Sequence, residues 1–199
     1  LGEKFRFCKI GYNQSPINIE NGFAESDLSF SYQPSVVGKE KKNHVVNINF
    51  GDEIFLLQSK KKYFLRSISF HHPSEHLVKG EASSLEMQLY HKSENEQRLA
   101  LAIFLEVGKE NPAFDELINF LTSDKKEGKI DVSRIVKESD KIFFYDGSLT
   151  TPPCTEGVKW YVMKTPIQLS KEQMNKIIKS AILAKSNARP TQEFHSEKY

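Results

Sequence analysis

No stretch of this 199-residue chain stays apolar for the roughly 20 residues that a membrane-crossing helix needs, so no membrane span is expected. Net charge is nearly absent too. Its 28 basic and 26 acidic residues leave only +2, too weak a field to suggest a nucleic-acid partner. Cysteine is confined to Cys8 and Cys154. The pair reads equally as two buried thiols of a cytosolic protein or as one disulfide made in an oxidising compartment, and spacing does not choose between them. No repeat, low-complexity stretch or linker divides the sequence, so one domain is expected over residues 1–199. No signal peptide is legible from Leu1 onward, as expected of a mature or trimmed form.

The chain is rich in short β-type runs: VVNINF (45–50), EIFLLQS (53–59), YFLRSISF (63–70), LEMQLYH (85–91), LALAIFLEV (99–107), KIFFYDGSL (141–149) and KWYVMK (159–164). Val, Ile, Phe and Tyr dominate them, and Gly, Pro, Asn, Asp or Ser separate them, as in strands. Two segments have helical spacing instead. NPAFDELINFLT (111–122) carries Pro near its start, and SKEQMNKIIKSAIL (170–183) opens with Ser170 and places Gln173 in capping-box position. The fold class predicted is mainly β or α+β, with a large sheet. Lysine clusters at Lys39, Lys41 and Lys42 and at Lys60, Lys61 and Lys62 read as solvated strand ends, or as a surface for an acidic glycan or another anionic ligand.

SISFHHPSEH (67–76) packs three histidines and a glutamate into ten residues, which suggests a metal. Strand geometry argues against the adjacent pair, because His71 and His72 point to opposite sides. Ser67, Ser69 and His71 share one face of their strand, and Glu86, Gln88 and Tyr90 share one face of LEMQLYH. Pairing those faces gathers Ser69, His71 and Gln88, backed by Glu75 and Glu86. GSLTTPPCTEGVKW (147–160) adds a stiff loop of hydroxyls and backbone donors, suited to a pocket wall.

QSPINI (14–19), SEH (74–76), SLTTPPCTEGVKW (148–160) and NARP (187–190), in this order and spacing, resemble the α-class carbonic anhydrase family, especially its bacterial members. The resemblance implies a central, twisted, mostly antiparallel sheet of about ten strands with small peripheral helices and a conical cavity. It also implies export to the periplasm, outside or cell surface, and a disulfide between Cys8 and Cys154. The family holds zinc with three histidines, whose positions match Ser69, His71 and Gln88 here. Two of the three are therefore replaced. Thr150 matches the threonine that accepts a proton from zinc-bound hydroxide, Glu75 the carboxylate that orients it, and Thr151 its neighbour. Glu86 matches the carboxylate behind the third ligand, and His44 the proton shuttle. His76 and His91 read as satisfied inner histidines. Tyr90 stands where the family usually has a small apolar residue beside the carbon dioxide pocket, and should narrow it.

Catalytic zinc needs three strong protein donors and one open position for water. A serine hydroxyl and a glutamine amide are poor substitutes for imidazole, so no cofactor is expected. The reading is a carbonic-anhydrase-related protein with a degenerate zinc site, without hydratase activity and retained as a binding module for a protein or an acidic glycan. The alternative is a zinc-dependent carbonate dehydratase that uses a displaced or partial site. A metal-free hydrolase built on Glu75, Thr150 and His71 has little support, since no Gly-x-Ser-x-Gly elbow is present.

Overall fold

The computed structural model describes residues 6–42, 45–51, 54–137, 141–182 and 185–195. Within them the strands are β1 (Asn18–Ile19), β2 (Ala24–Glu25), β3 (Leu28–Ser31), β4 (Pro34–Lys42), β5 (Val45–Phe50), β6 (Phe55–Gln58), β7 (Lys61–His71) and β8 (Leu77–Val78). They continue as β9 (Glu81–Ala82), β10 (Leu85–Lys92), β11 (Arg98–Val107), β12 (Glu127–Asp131), β13 (Lys141–Ser148), β14 (Glu156–Met163) and β15 (Ile167–Leu169). The helices are α1 (Arg6–Ile10), α2 (Asp115–Thr122) and α3 (Lys171–Ala181).

Twelve of these strands form one sheet with the spine β12-β4-β5-β7-β10-β11-β14-β13-β2, while β15 pairs with β11 and β6 bridges β3 to β7. Pairing is antiparallel except where β11 meets β14 and β15. A separate small sheet joins β1, β8 and β9. This is the mostly antiparallel architecture implied by the resemblance.

Side-chain alternation divides the sheet into two faces. Leu85, Met87 and Leu89 of β10 join Ile68 and Phe70 of β7 in the larger core, which α2 and α3 cover with Leu117, Ile118, Phe120, Leu121, Met174 and Ile177. Burying each of these side chains contributes about 2 kcal/mol, before the cost of ordering the chain. The opposite face carries Ala100, Ala102, Phe104, Tyr145 and Trp160, and it is polar toward β7 and β5.

One irregularity sets the phase. Tyr90 pairs with Ser67 but His91 pairs with Leu65, so Arg66 is an extra residue in β7. This bulge lets odd-numbered Tyr63 and Leu65 and even-numbered Ile68 and Phe70 all face the core. It thereby aims Ser67, Ser69 and His71 at the polar face.

The two helices follow their sequence signals. The 111–122 segment opens with a 3-10 turn at Pro112–Phe114, capped by the Asn111 side chain on the Ala113 N–H, and continues as α2. Ser170 and Gln173 form the reciprocal capping box of α3. The first helix, α1, has no comparable signal, and its Cys8 is tied to Cys154 by a disulfide.

His91 lies on the core face, with Nε2 2.7 Å from the Tyr32 hydroxyl. Burial pushes its pKa down to about 3. The unfolded chain therefore takes up a proton near pH 6.5 that the folded one refuses. Stability is retained above that pH and lost as pH falls toward 3, by up to about 1.4 kcal/mol per pH unit for this group. Urea unfolding of wild type and His91→Gln between pH 7.5 and 4 should show a slope shallower by nearly one proton in the variant. Identical slopes would contradict this assignment.

Candidate functional site

The site is a ladder of polar side chains across adjacent strands. Register places Glu40 opposite Asn47, Asn49 opposite Ser67, Ser67 opposite Tyr90, Ser69 opposite Gln88 and His71 opposite Glu86. The β13–β14 loop brings Leu149, Thr150, Thr151, Pro152 and Pro153 against this ladder, and Trp160 closes the side. Together they enclose a cavity of about 380 Å³.

Two buried carboxylates lie at its floor. Glu86 accepts hydrogen bonds from the His76 backbone N–H (2.8 Å), His76 Nδ1 (2.9 Å) and Gln88 Nε2 (2.8 Å). Glu75 accepts from the Arg189 backbone N–H at 2.9 Å and from Gln88 Nε2 at 2.7 Å. One amide nitrogen thus spends both of its protons joining the two carboxylates. His71 Nδ1 lies 3.2 Å from Glu75 Oε1, an electrostatic contact off the line of a good hydrogen bond. Its Nε2 is 3.5 Å from the Ser69 hydroxyl.

Burial disfavours charge on both members of this pair, but their mutual attraction prevails. Burial alone would raise the Glu75 pKa; the close approach of His71, the Arg189 N–H and the Thr150 hydroxyl together bring it down to about 2. Burial likewise opposes the His71 imidazolium, yet Glu75, and more weakly Glu86, raise its pKa above the ordinary value.

Behind the floor runs a second buried network. His76 Nε2 lies 2.7 Å from the Tyr145 hydroxyl, which donates to Ser15 Oγ at 2.8 Å; Ser15 in turn accepts the Ser148 N–H. Arg189 donates to the carbonyls of Ser15 and Cys8 and to Gln14 Oε1. Asn187 bonds the β7 end through the Phe70 carbonyl and the His72 N–H. QSPINI and NARP therefore act as clamps on the floor. The motifs do not reveal Ser15, Tyr145, Asn187 and Arg189 as partners, since the contacts span more than 110 residues.

Thr150 is buried and Thr151 half-buried at the cavity wall. Tyr90 lines the cavity beside small Ala100, which leaves room for the ring. His44 lies outside the described residues. The expected lysine surface is divided. Lys39 donates to the carbonyls of Phe120, Leu121 and Ser123, closing the end of α2, and so is not free for a ligand. It is level with Ile68 through Ile48, whereas Lys61 and Lys62 lie at the start of β7, about 20 Å away along the strand. Lys41 and Lys60 are exposed, Lys61 bonds Gln97, and Lys62 covers the Phe55 ring. The side chain of Lys42 is outside the described set.

The floor does not fit zinc. Imidazole binds zinc at about 2.0–2.1 Å and a catalytic site takes three such strong donors. Here one imidazole meets a serine hydroxyl and an amide whose protons are committed to carboxylates. The displaced arrangement finds no support either: His72 bonds the Ser84 carbonyl, His76 is held by Glu86 and Tyr145, and His91 faces the other side. Among the described residues, no three His, Cys, Asp or Glu side chains are grouped to hold a metal.

Removing the Gln88 amide leaves two buried carboxylates without their common donor. Gln88→Leu should cost about 3 kcal/mol at pH 7 and shift acid unfolding to higher pH. Urea and acid titrations of the variant measure both. A loss below about 1 kcal/mol would show that the bridge is not structural.

Comparison with known proteins agrees with this geometry. The chain is 34% identical over 203 residues to a carbonic anhydrase of Neisseria gonorrhoeae, covering 98% of this chain and 80% of that protein. It is 33% identical over 208 residues to dioscorin DB3L of Dioscorea polystachya, covering 96% and 76%. Among solved structures, dioscorin complexed with ascorbate superposes with a TM-score of 0.87 at 31% identity, over 97% of this chain and 87% of that one. The α-carbonic anhydrase of Thermovibrio ammonificans with sulfanilamide gives 0.82 at 31%, over 97% and 88%. The model of the eukaryotic-type carbonic anhydrase family matches residues 2–198, and the chain belongs to that family.

Proposed function

We propose that this protein is an exported, bacterial-type member of the family that does not hydrate carbon dioxide and acts as a binding module. One observation carries the reading: at the third ligand position the Gln88 amide donates to Glu75 and Glu86, while Ser69 replaces the first ligand. Without a metal to lower the pKa of bound water, Thr150 and Glu75 have no hydroxide to orient. The disulfide and the lack of a helix long and apolar enough to cross a membrane, among the described residues, support the exported reading. Dioscorin, crystallised with ascorbate, supports small-molecule binding by this fold. A protein surface or an acidic glycan is the outer partner class, with Lys41, Lys60 and Lys62 among the exposed cations.

Elemental analysis and carbon dioxide hydration, run on one sample with and without added zinc, test the proposal. Wild type should carry well under one zinc per chain and give no hydration above background. Ser69→His combined with Gln88→His should bind zinc stoichiometrically, because Glu86 can then accept from the new third imidazole. Stoichiometric zinc in wild type, with hydration lost on chelation, would overturn it.

A further inference from the structure

We infer that the cavity receives a small neutral polyhydroxy compound, about the size of one sugar ring, in preference to an anion. This rests on the binding-module reading and names what that site takes.

The two sides of the cavity differ in chemistry. The sheet side offers Asn47, Asn49, Ser67, Ser69 and Gln88; the other wall offers the carbon surfaces of Leu149, Pro152, Pro153 and Trp160, interrupted by Thr150 and Thr151. The Trp160 indole N–H is spent on the Ser148 carbonyl, so the ring presents only carbon to the cavity. A sugar ring has the same division, with hydroxyls round its edge and C–H groups on its faces. The volume of about 380 Å³ lies at the small end of the range for ligand cavities, which suits one ring.

Hydrogen-bonding capacity points the same way. Hydroxyls and side-chain amides both donate and accept, as the hydroxyls of a polyol do. The ladder spreads them over three adjacent strands, β5, β7 and β10, about 4.8 Å apart, so hydroxyls on opposite sides of one ring can reach neighbouring strands.

Charge sets the discrimination. No lysine or arginine is among the described residues lining the cavity, and Glu40 stands on its wall. Beneath the floor lie Glu75 and Glu86, faced by His71. Gln88 has turned both amide protons down to those carboxylates, so the atom it offers upward is its acceptor oxygen. An anion meets an acceptor over two carboxylates, whereas a hydroxyl meets a group to which it can donate.

Saturation-transfer NMR on the full chain, with zinc content checked on the same sample, tests the inference. The probes are D-glucose and myo-inositol as neutral polyols, and ascorbate and bicarbonate as anions at neutral pH. At least one polyol should bind in the millimolar range, with both anions weaker by about ten-fold or more. Asn47→Ala should weaken the polyol several-fold by removing a wall hydrogen bond. Ala100→Leu, which fills the cavity, should abolish binding. Either anion binding as tightly as the polyols would overturn the inference. So would silence from both polyols, or polyol binding unchanged in both variants. If the polyols fail in zinc-free protein, the ligand class falls while the binding-module reading stands. Stoichiometric zinc would remove that reading itself.

Discussion

Two carboxylates buried side by side need donors, and in this protein a single amide serves both. Gln88 Nε2 lies 2.7 Å from Glu75 and 2.8 Å from Glu86. An ionised carboxylate left unpaired in such a place would cost several kcal/mol, so the floor is stable only as a network. Each carboxylate also anchors a distant part of the chain. Glu75 holds the 187–190 segment through the Arg189 N–H, and Glu86 holds the N-terminal motif through His76, Tyr145 and Ser15. An amide at position 88 satisfies both anchors without a metal.

The cavity above the floor keeps its shape for separate reasons. Its sheet wall follows from strand phase, corrected by the bulge at Arg66. Its loop wall is pinned by the Cys8–Cys154 disulfide and by the Leu149 N–H bonding back to Thr155. Neither depends on a metal. The recess, polar on the sheet side and more apolar on the other, therefore stands on strand phase and the pinned loop alone.

Much of this was legible in the residues. Alternation alone put Ser67, Ser69 and His71 on the face shared with Glu86, Gln88 and Tyr90, and β5 runs over the same six residues read as VVNINF. The Gln88–Glu86 bond joins two residues of one strand face, whereas the second bond, to Glu75, has no periodic signal because Glu75 sits on a loop. The bulge leaves only a change of parity between Leu65 and Ile68, which a continuous β-rich run hides. The short strands β1 to β3 have too few residues for a periodicity to register. Lys39 looked like part of a charged surface because its true partners, the carbonyls at the end of α2, lie some 80 residues later. Local pattern sets strand faces; which distant group fills a hydrogen bond is a property of the assembled sheet.

The most direct test is a crystal structure of wild-type protein soaked in zinc, with anomalous data collected at the zinc edge. The account predicts no anomalous peak among Ser69, His71 and Gln88, and a Gln88 amide within hydrogen-bonding distance of both Glu75 and Glu86. A strong peak at that position, with Gln88 swung away from the carboxylates, would contradict it.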